Sequence, residues 1–291
     1  MVVEGLAAYL EYMKSLCFGG LQLSHQPFIQ SKQAHGAQPH QNQLIPKVAQ
    51  GTRQPPQPQV PNAPKQVPLK PTSAQSILSL VDMVNMASPE QENRTKAEAI
   101  QGSSSADVLH KLYRAFCNCE ACPLSTTRTK FVFGEGPADA DLMFIGEGPG
   151  YDEDISGRPF VGKAGQLLEK IIEAMGFRRD QVFIANVVKC RPPENRTPLP
   201  DEMSACAPIL KRQIEAVNPK CIVVLGSTAL KFFAGPNASI TRTRGAFMNW
   251  ENRRVMPTFH PAYILRNPRA KREVWEDMKA VMVELKSGLS P

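Results

Sequence analysis

A buried strand that runs directly into a glycine-rich turn is the feature that most limits how this chain can fold. Leu142–Ile145 is an uninterrupted apolar run, and the sequence Gly-Glu-Gly-Pro-Gly follows it at residues 146–150. In open α/β sheets, ligands bind where such turns leave the carboxyl ends of strands. The same stretch carries the carboxylates of Glu147 and Glu153 and the ring of Phe160. Acidic groups and a stacking surface on a rigid turn favour a site for a flat, polar molecule, and a nucleobase fits that description.

Strand-like and helix-like segments alternate along the C-terminal part of the chain. Continuous apolar strands that alternate with helices favour a parallel sheet covered on both faces. We therefore predict a three-layer α/β/α domain at residues 106–291, with a central, mainly parallel, four-stranded sheet. The predicted strands are Leu142–Ile145, Val182–Val188, Cys221–Leu225 and Val255–Phe259. The predicted helices are one that begins near Ala106, Gly165–Met175, Asp201–Val217, one that Ser227 caps and that ends at Phe233, and Ala270–Leu285.

The first hundred or so residues differ in composition from the rest. Apolar side chains at residues 4–16 have spacings that partly fit one face of a helix. We predict a short amphipathic helix within residues 1–25, either marginal or a docking helix for a protein partner. Gln and Pro dominate from residue 26 onward, and such a segment buries too little apolar surface to offset its ordering entropy. Residues 26–105 are therefore predicted to be a disordered linker, with one short helix near residues 76–87.

The overall composition narrows the class of protein. The net charge is +7, which suits a polyanionic partner but is shared by many proteins that bind none. No apolar run reaches the length of a membrane span, and the N-terminus lacks the pattern of a signal peptide. We therefore expect a cytoplasmic monomer that does not associate with membranes. In that reducing compartment the seven cysteines are not expected to form disulfides.

Four of these cysteines have the spacing of metal ligands. Cys119 and Cys122 form a C-x2-C pair, and Cys190 and Cys206 follow far downstream. Four thiolates can hold either zinc or a four-iron cluster. Cys117 lies directly before the pair and is a second candidate for the first ligand. The residues alone leave both the metal and the first ligand open.

Polar residues at the ends of later strands add to the candidate site. Asn186 lies inside an apolar strand, where an amide is costly unless it forms hydrogen bonds. His260 ends another strand and is followed by a turn that contains Leu265 and Arg266. Cations at residues 189–196, which include Lys189, Arg191 and Arg196, and a further one at Arg244 could neutralise the backbone of a nucleic acid.

These motifs together resemble family 4, the iron–sulfur branch, of the uracil-DNA glycosylase superfamily. Residues 146–162, in the form GEGPG…ED…GRPFVG, resemble its first motif, and His260-Pro-x-x-x-Leu-Arg resembles its last. Asn186 matches the position of its uracil-reading asparagine. The resemblance covers roughly residues 115–285. It implies a monofunctional DNA-repair enzyme that hydrolyses the N-glycosidic bond of uracil in single- and double-stranded DNA and leaves an abasic site, the first step of base excision repair.

The resemblance also implies roles for residues of the first motif. Backbone amides near Glu147 and Gly148 would contact the uracil edge, and the Glu147 carboxylate would orient water and stabilise the cationic sugar. Phe160 would stack on the base. Glu153 would exclude the methyl group of thymine, although it is equally well explained as a carboxylate that ties the loop together.

Further roles follow for the remaining motifs. Asn186 would accept a hydrogen bond from uracil N3–H and donate one to O4, a pattern that cytosine reverses. His260 would donate to O2 as a neutral imidazole, Leu265 would fill the vacated base stack, and Arg266 would hold a phosphate. The resemblance assigns a [4Fe–4S] cluster to four ligands, which are Cys119, Cys122, Cys190 and Cys206.

Three other functions fit the sequence less well. The first is a related branch that binds uracil-DNA covalently; Gly148 and the short loop at residues 194–197 differ from our expectation for it. A second is a catalytically silent uracil-DNA-binding module, which would not need Glu147, Asn186 and His260 together. The third is a dinucleotide-binding enzyme, but the turn after the first strand lacks the G-x-G-x-x-G spacing.

Overall fold

The computed structural model describes residues 88–287, which fold around one five-stranded sheet. The order of strands across it is β2-β1-β3-β5-β4. The first four in this order run parallel, and β4 pairs antiparallel with β5 at one edge. The carboxyl ends of four strands therefore meet at the same end of the sheet. The strands are β1 (Leu142–Gly146), β2 (Phe183–Asn186), β3 (Cys221–Leu225), β4 (Met248–Trp250) and β5 (Arg253–Thr258).

The predicted mainly parallel α/β sheet is confirmed, but the predicted number of four strands is wrong. Every residue of β1 and β3 is buried, so both faces of the sheet are covered. Sequence reasoning missed β4 because it has only three residues, none of them buried. A tight turn at Glu251 and Asn252, with φ of 44° and 64°, joins β4 to β5. Two consecutive residues with positive φ are typical of a two-residue hairpin turn.

Nine helices of the described residues surround the sheet. They are α1 (Pro89–Glu98), α2 (Ser105–Phe116), α3 (Tyr151–Ser156), α4 (Lys163–Ala174), α5 (Pro200–Val217), α6 (Gly226–Ala234), α7 (Ile240–Thr243), α8 (Pro261–Arg266) and α9 (Lys271–Ser287). The predicted helices correspond to α2, α4, α5, α6 and α9. The predicted cap of α6 is wrong, because the helix begins at Gly226 and its N-cap, Leu225, makes no side-chain hydrogen bond.

Helix α1 lies in a segment that the sequence had assigned to the disordered linker. The side chain of Ser88 accepts a hydrogen bond from Gln91 N, which caps the helix, and Pro89 occupies its first turn. Asn93 and Ala97 are buried, and Asn93 Nδ2 donates to Ala205 O of α5 at 2.6 Å. Packing on α5 thus stabilises a helix whose own sequence is mostly polar, so the folded domain begins earlier than residue 106.

The predictions for residues 1–25, 26–72 and 76–87 lie outside the described residues. Within residues 88–287, no helix combines the length and apolar character needed to cross a lipid bilayer.

Candidate active site

A cavity of about 530 Å³ lies at the carboxyl ends of three parallel strands. Glu147 follows β1, Asn186 ends β2, and His260 comes two residues after β5. Parallel strands with their ends side by side bring these residues together although they are far apart in the sequence. The cavity wall includes seven predicted site residues, namely Glu147, Gly148, Glu153, Phe160, Asn186, His260 and Arg266.

The side-chain oxygen of Asn186 is buried without a hydrogen-bond partner. This Oδ1 atom accepts no hydrogen bond, and only 1% of the residue is exposed. The backbone carbonyl is used separately, because it accepts a hydrogen bond from Lys189 Nζ at 2.8 Å. A buried, unpaired acceptor costs about 1–3 kcal/mol. Asn186 is also a residue of the cavity wall, so this unpaired oxygen lies at the cavity and contributes nothing to the stability of the fold.

His260 presents a neutral donor to the same cavity. Its Nδ1 accepts a hydrogen bond from Ala262 N at 3.1 Å, so the proton of the neutral ring lies on Nε2. Burial and the positive charge of Arg266 lower the pKa of His260 to about 4, against the opposing effect of Glu153. Gly226, with φ of +88°, leaves room for the ring, because an added Cβ would lie 2.9 Å from His260 Cβ. The imidazole is thus uncharged at neutral pH.

The ring of Phe160 is held against the cavity by strained backbone. Its φ is +51°, which non-glycine residues rarely adopt. The ring centroid lies 5.7 Å from that of His260 at an interplanar angle of 33°. A Cβ on Gly165 would lie only 2.0 Å from the Phe160 carbonyl, so only glycine fits at this position. Arg179 Nη1 donates to the same carbonyl oxygen at 3.0 Å, an anchor that sequence reasoning missed.

The two candidate carboxylates have different environments. Glu153 Oε1 accepts from Val161 N and Gly162 N at 2.8 Å, and its Oε2 accepts from Gly150 N at 3.0 Å. These bonds support the loop-tying interpretation of Glu153, and the exclusion of thymine by this residue stays a prediction. The carboxylate of Glu147 makes no hydrogen bond or ion pair to any residue in the range 88–287, so it is available to a ligand.

The four predicted DNA-binding residues divide into two groups. Arg266 lines the cavity, Leu265 beside it on α8 is 47% exposed, and Arg191 forms a hydrogen bond with Asn195 of the cavity wall. Arg244 lies elsewhere and is mostly buried. A DNA contact by Arg244 stays a prediction.

In the protein without DNA, Arg244 belongs to a hydrogen-bond network with Asp277 and Thr258. Its Nε donates to Asp277 Oδ2 at 3.1 Å. The same carboxylate oxygen accepts a hydrogen bond from Thr258 Oγ1 at 2.6 Å. Since Thr258 ends β5, this network fixes the strand end that leads into His260.

Two of the predicted backbone-neutralising cations have other partners. Lys189 is fully buried, and burial lowers its pKa to about 8. Its Nζ donates to Asn186 O and to Gln213 Oε1, so the expectation that it faces DNA is wrong. Arg196 lines the cavity, but its guanidinium forms a bidentate ion pair with the buried carboxylate of Glu202. The apolar run before Lys189 was the one sequence signal for its burial.

Of the four predicted cluster ligands, Cys190 and Cys206 are buried and Cys119 and Cys122 are partly exposed. Arg128 Nη1 lies 3.1 Å from Cys190 Sγ and donates to Cys119 O at 2.7 Å. Burial raises the pKa of Cys190 to about 11 and that of Cys206 to about 12, and charge on Cys122 contributes to both shifts. Asn93 Nδ2 lies 3.9 Å from Cys119 Sγ and donates to Ala205 O, next to Cys206, so Arg128 and Asn93 connect the segments that carry Cys119, Cys190 and Cys206. Within residues 88–287, no three His, Cys, Asp or Glu side chains are close enough to bind a single metal ion.

The two candidates for the first ligand, Cys119 and Cys117, have different surroundings. Cys119 contributes to the electrostatic environment of Cys122 and Cys190, whereas the Cys117 thiol donates to Arg114 O at 3.6 Å. The cysteine sulfurs that bind a cluster of several irons lie further apart than the sulfurs that bind one metal ion, so a cluster does not require a single-ion site. Buried sulfurs beside the cationic Arg128 suit a group that binds thiolates, so the residues fit such a cluster.

Comparison with known proteins adds to this geometry. The sequence profile of the Uracil DNA glycosylase superfamily matches residues 133–279. The chain belongs to this superfamily. A Type-4 uracil-DNA glycosylase of Thermotoga maritima is 53% identical over 165 residues, which cover 55% of this chain and 86% of that protein. A protein of the same name from Sulfurisphaera tokodaii is 47% identical over a match that covers 60% of this chain and 84% of that protein. Another, from Archaeoglobus fulgidus, is 40% identical over a match that covers 60% of this chain and 92% of that protein. The resemblance to family 4 is confirmed.

Proposed function

We propose that this protein is a uracil-DNA glycosylase that removes uracil from single- and double-stranded DNA and leaves an abasic site, the first step of base excision repair. The observation that carries the proposal is the buried, unpartnered Oδ1 atom of Asn186, a residue of the cavity wall. Uracil presents an N3–H donor and an O4 acceptor, which complement the Oδ1 and Nδ2 atoms of this amide. Cytosine presents the reverse pattern and would leave both groups unsatisfied.

The other wall residues supply what hydrolysis of the bond requires. When the bond between uracil and the sugar breaks, the base leaves as an anion and the sugar gains positive charge. The Nε2–H of neutral His260 donates to the O2 oxygen, where negative charge develops. The unpaired carboxylate of Glu147 stabilises the cationic sugar and orients the attacking water, and Phe160 stacks on the extruded base. The cavity thus holds the base by its edge and its face.

We propose that four cysteines, Cys119, Cys122, Cys190 and Cys206, hold a [4Fe–4S] cluster. The support is the contact of Arg128 with Cys190 Sγ and Cys119 O, and the contact of Asn93 with Cys119 Sγ and with Ala205 O beside Cys206. When bound, the cluster supplies a structural cross-link between the segment before β1, the end of β2 and helix α5. The hydrolysis itself is redox-neutral, so the cysteines serve the fold and the surface that faces DNA.

The remaining expectations concern DNA contacts and cellular context. Leu265 enters the gap that the extruded base leaves, and Arg266 and Arg191 bind phosphates beside the cavity. Arg244 is kept as a predicted DNA contact. We propose that the protein acts as a cytoplasmic monomer and that the N-terminal extension binds a protein partner.

Three matched oligonucleotides test the activity. They carry uracil, thymine or cytosine at one position and are otherwise identical, and anaerobically purified protein is added in excess before alkali treatment. The proposal predicts strand scission at uracil alone. An intact uracil strand, from protein that is folded and retains bound iron, would overturn it in favour of a binding module. A protein–DNA adduct would instead identify the covalent branch.

A further inference from the structure

Tyr151 is an exposed aromatic residue beside the cavity, and the proposed reaction does not use it. It follows Gly150, a residue of the cavity wall, and begins the short helix α3. The residue is 58% exposed, the largest value among the aromatic residues of the described part. The ring thus contributes little to the core.

One face of the Tyr151 ring is covered by Arg191. The guanidinium carbon of Arg191 lies 5.1 Å from the ring centroid, a cation–π contact. The Nε of Arg191 donates to Asn195 Oδ1 at 2.7 Å, which fixes the orientation of the guanidinium. Its Nη atoms form no hydrogen bond with the residues of the range 88–287. The aromatic ring is therefore held in place, and donor groups remain available next to it.

Both residues of this pair are joined to the wall of the base cavity. Tyr151 adjoins Gly150 in the chain, and Arg191 is hydrogen-bonded to Asn195, which also lines the cavity. A DNA strand whose uracil fills the cavity has to continue over this rim. We propose that Tyr151 and Arg191 form a binding site for the nucleotide next to uracil in single-stranded DNA, an inference that rests on the proposed function.

The chemistry of the pair suits an unpaired nucleotide. The free face of Tyr151 stacks on the base, which any base allows because each has a π face, and the Nη groups of Arg191 bind the adjacent phosphate. In duplex DNA the neighbouring base is already stacked within the helix. The Tyr151–Arg191 pair therefore favours single-stranded over double-stranded substrates.

Oligonucleotides with and without neighbouring bases test the proposal. One single strand carries uracil among normal nucleotides, and the other has tetrahydrofuran spacers, which lack bases, on both sides of uracil. Tyr151→Ala should lower kcat/KM about 10- to 100-fold on the strand with normal neighbours and leave kcat/KM unchanged on the strand with spacers. Tyr151→Phe, which keeps the ring, should have the kcat/KM of the wild type. Arg191→Met should weaken the binding of both strands and make that binding less dependent on salt concentration.

A matched control is Tyr113→Ala, since Tyr113 is 44% exposed on α2 and does not line the base cavity. It should leave both rates unchanged. Equal rates for Tyr151→Ala and wild type on the normal strand, or an equal loss on both strands, would overturn the proposal. Wild-type protein that releases no uracil from either strand would count against the proposed function instead. Binding of both strands by fluorescence anisotropy would then show whether the loss in Tyr151→Ala still depends on the neighbouring bases.

Discussion

Replacement of Asn186 by leucine separates what this side chain does for the reaction from what it does for the fold. Leucine keeps the branch at Cγ but removes the amide. In the free protein, Asn186 Oδ1 is buried without a partner. The backbone carbonyl that accepts from Lys189 Nζ is unaffected by the change. The variant should therefore fold with its local hydrogen bonds intact.

The expected magnitudes differ for stability and activity. Removal of an unpaired buried acceptor raises the free energy of unfolding by about 1–3 kcal/mol. This gain offsets a similar loss that comes from fitting the larger leucine side chain. Thermal stability should thus change by less than about 1 kcal/mol. In the complex, however, uracil N3–H and O4 both lose their partner, at about 1–3 kcal/mol each. The sum, about 2–6 kcal/mol, corresponds to a loss of about 30- to 25,000-fold in kcat/KM.

Thermal unfolding and single-turnover uracil release measure the two effects. Gln213→Leu is the matched control, because this amide is also buried but has partners for both its atoms, Lys189 Nζ and Phe133 O. It should lower the free energy of unfolding by several kcal/mol, since it leaves a buried cation with one acceptor fewer. If Asn186→Leu destabilised the protein as much as Gln213→Leu, or kept its wild-type rate, the reasoning would be refuted.

Three further predictions concern His260, Gly165, which packs against the Phe160 carbonyl, and the two candidate first ligands, Cys119 and Cys117. His260→Gln should slow uracil release about 100-fold with little effect on DNA binding. Because the pKa of His260 is lowered to about 4, the wild-type rate should not vary with its ionisation above pH 5. Between pH 6.5 and 4 the unfolded chain binds a proton that the folded chain does not, so stability should fall with falling pH there and fall less in His260→Gln. Single-turnover pH profiles and thermal melts check both. Gly165→Ala should displace the Phe160 carbonyl, because its Cβ would lie 2.0 Å away. The free energy of unfolding should fall by about 1–3 kcal/mol, and the rate of uracil release should fall as well. Thermal melts and single-turnover rates measure the two effects. Cys119→Ser should lose bound iron and its visible absorbance, whereas Cys117→Ser should keep both; iron loss in the second alone would reverse the ligand assignment.

Much of the fold follows from local sequence, and the exceptions have a physical cause. The strands β1 and β3 are buried on both faces and are continuous apolar runs, so their positions could be predicted. The strand β4 has no buried residue and forms only because β5 pairs with it. Helix α1 buries Asn93 and Ala97 against α5, and no pattern within its own sequence indicates that partner.

The site shows the same division. Glu147 and His260 follow the ends of predicted strands and Asn186 lies inside a third, so sequence reasoning could assign all three to one sheet. The anchors behind them depend on contacts between distant residues, such as Arg179 with the Phe160 carbonyl. A side chain's burial also depends on such contacts, which is why Lys189 looked like a surface cation before its bonds to β2 and α5 were known.

The most direct test of the central claim is mass spectrometry of the products from one uracil-containing single strand. The account predicts free uracil in an amount equal to the abasic strand, with the protein recovered unmodified. It also predicts that Asn186→Leu, although folded, yields far less uracil in the same time. Absence of free uracil, or recovery of the DNA bound covalently to the protein, would contradict it.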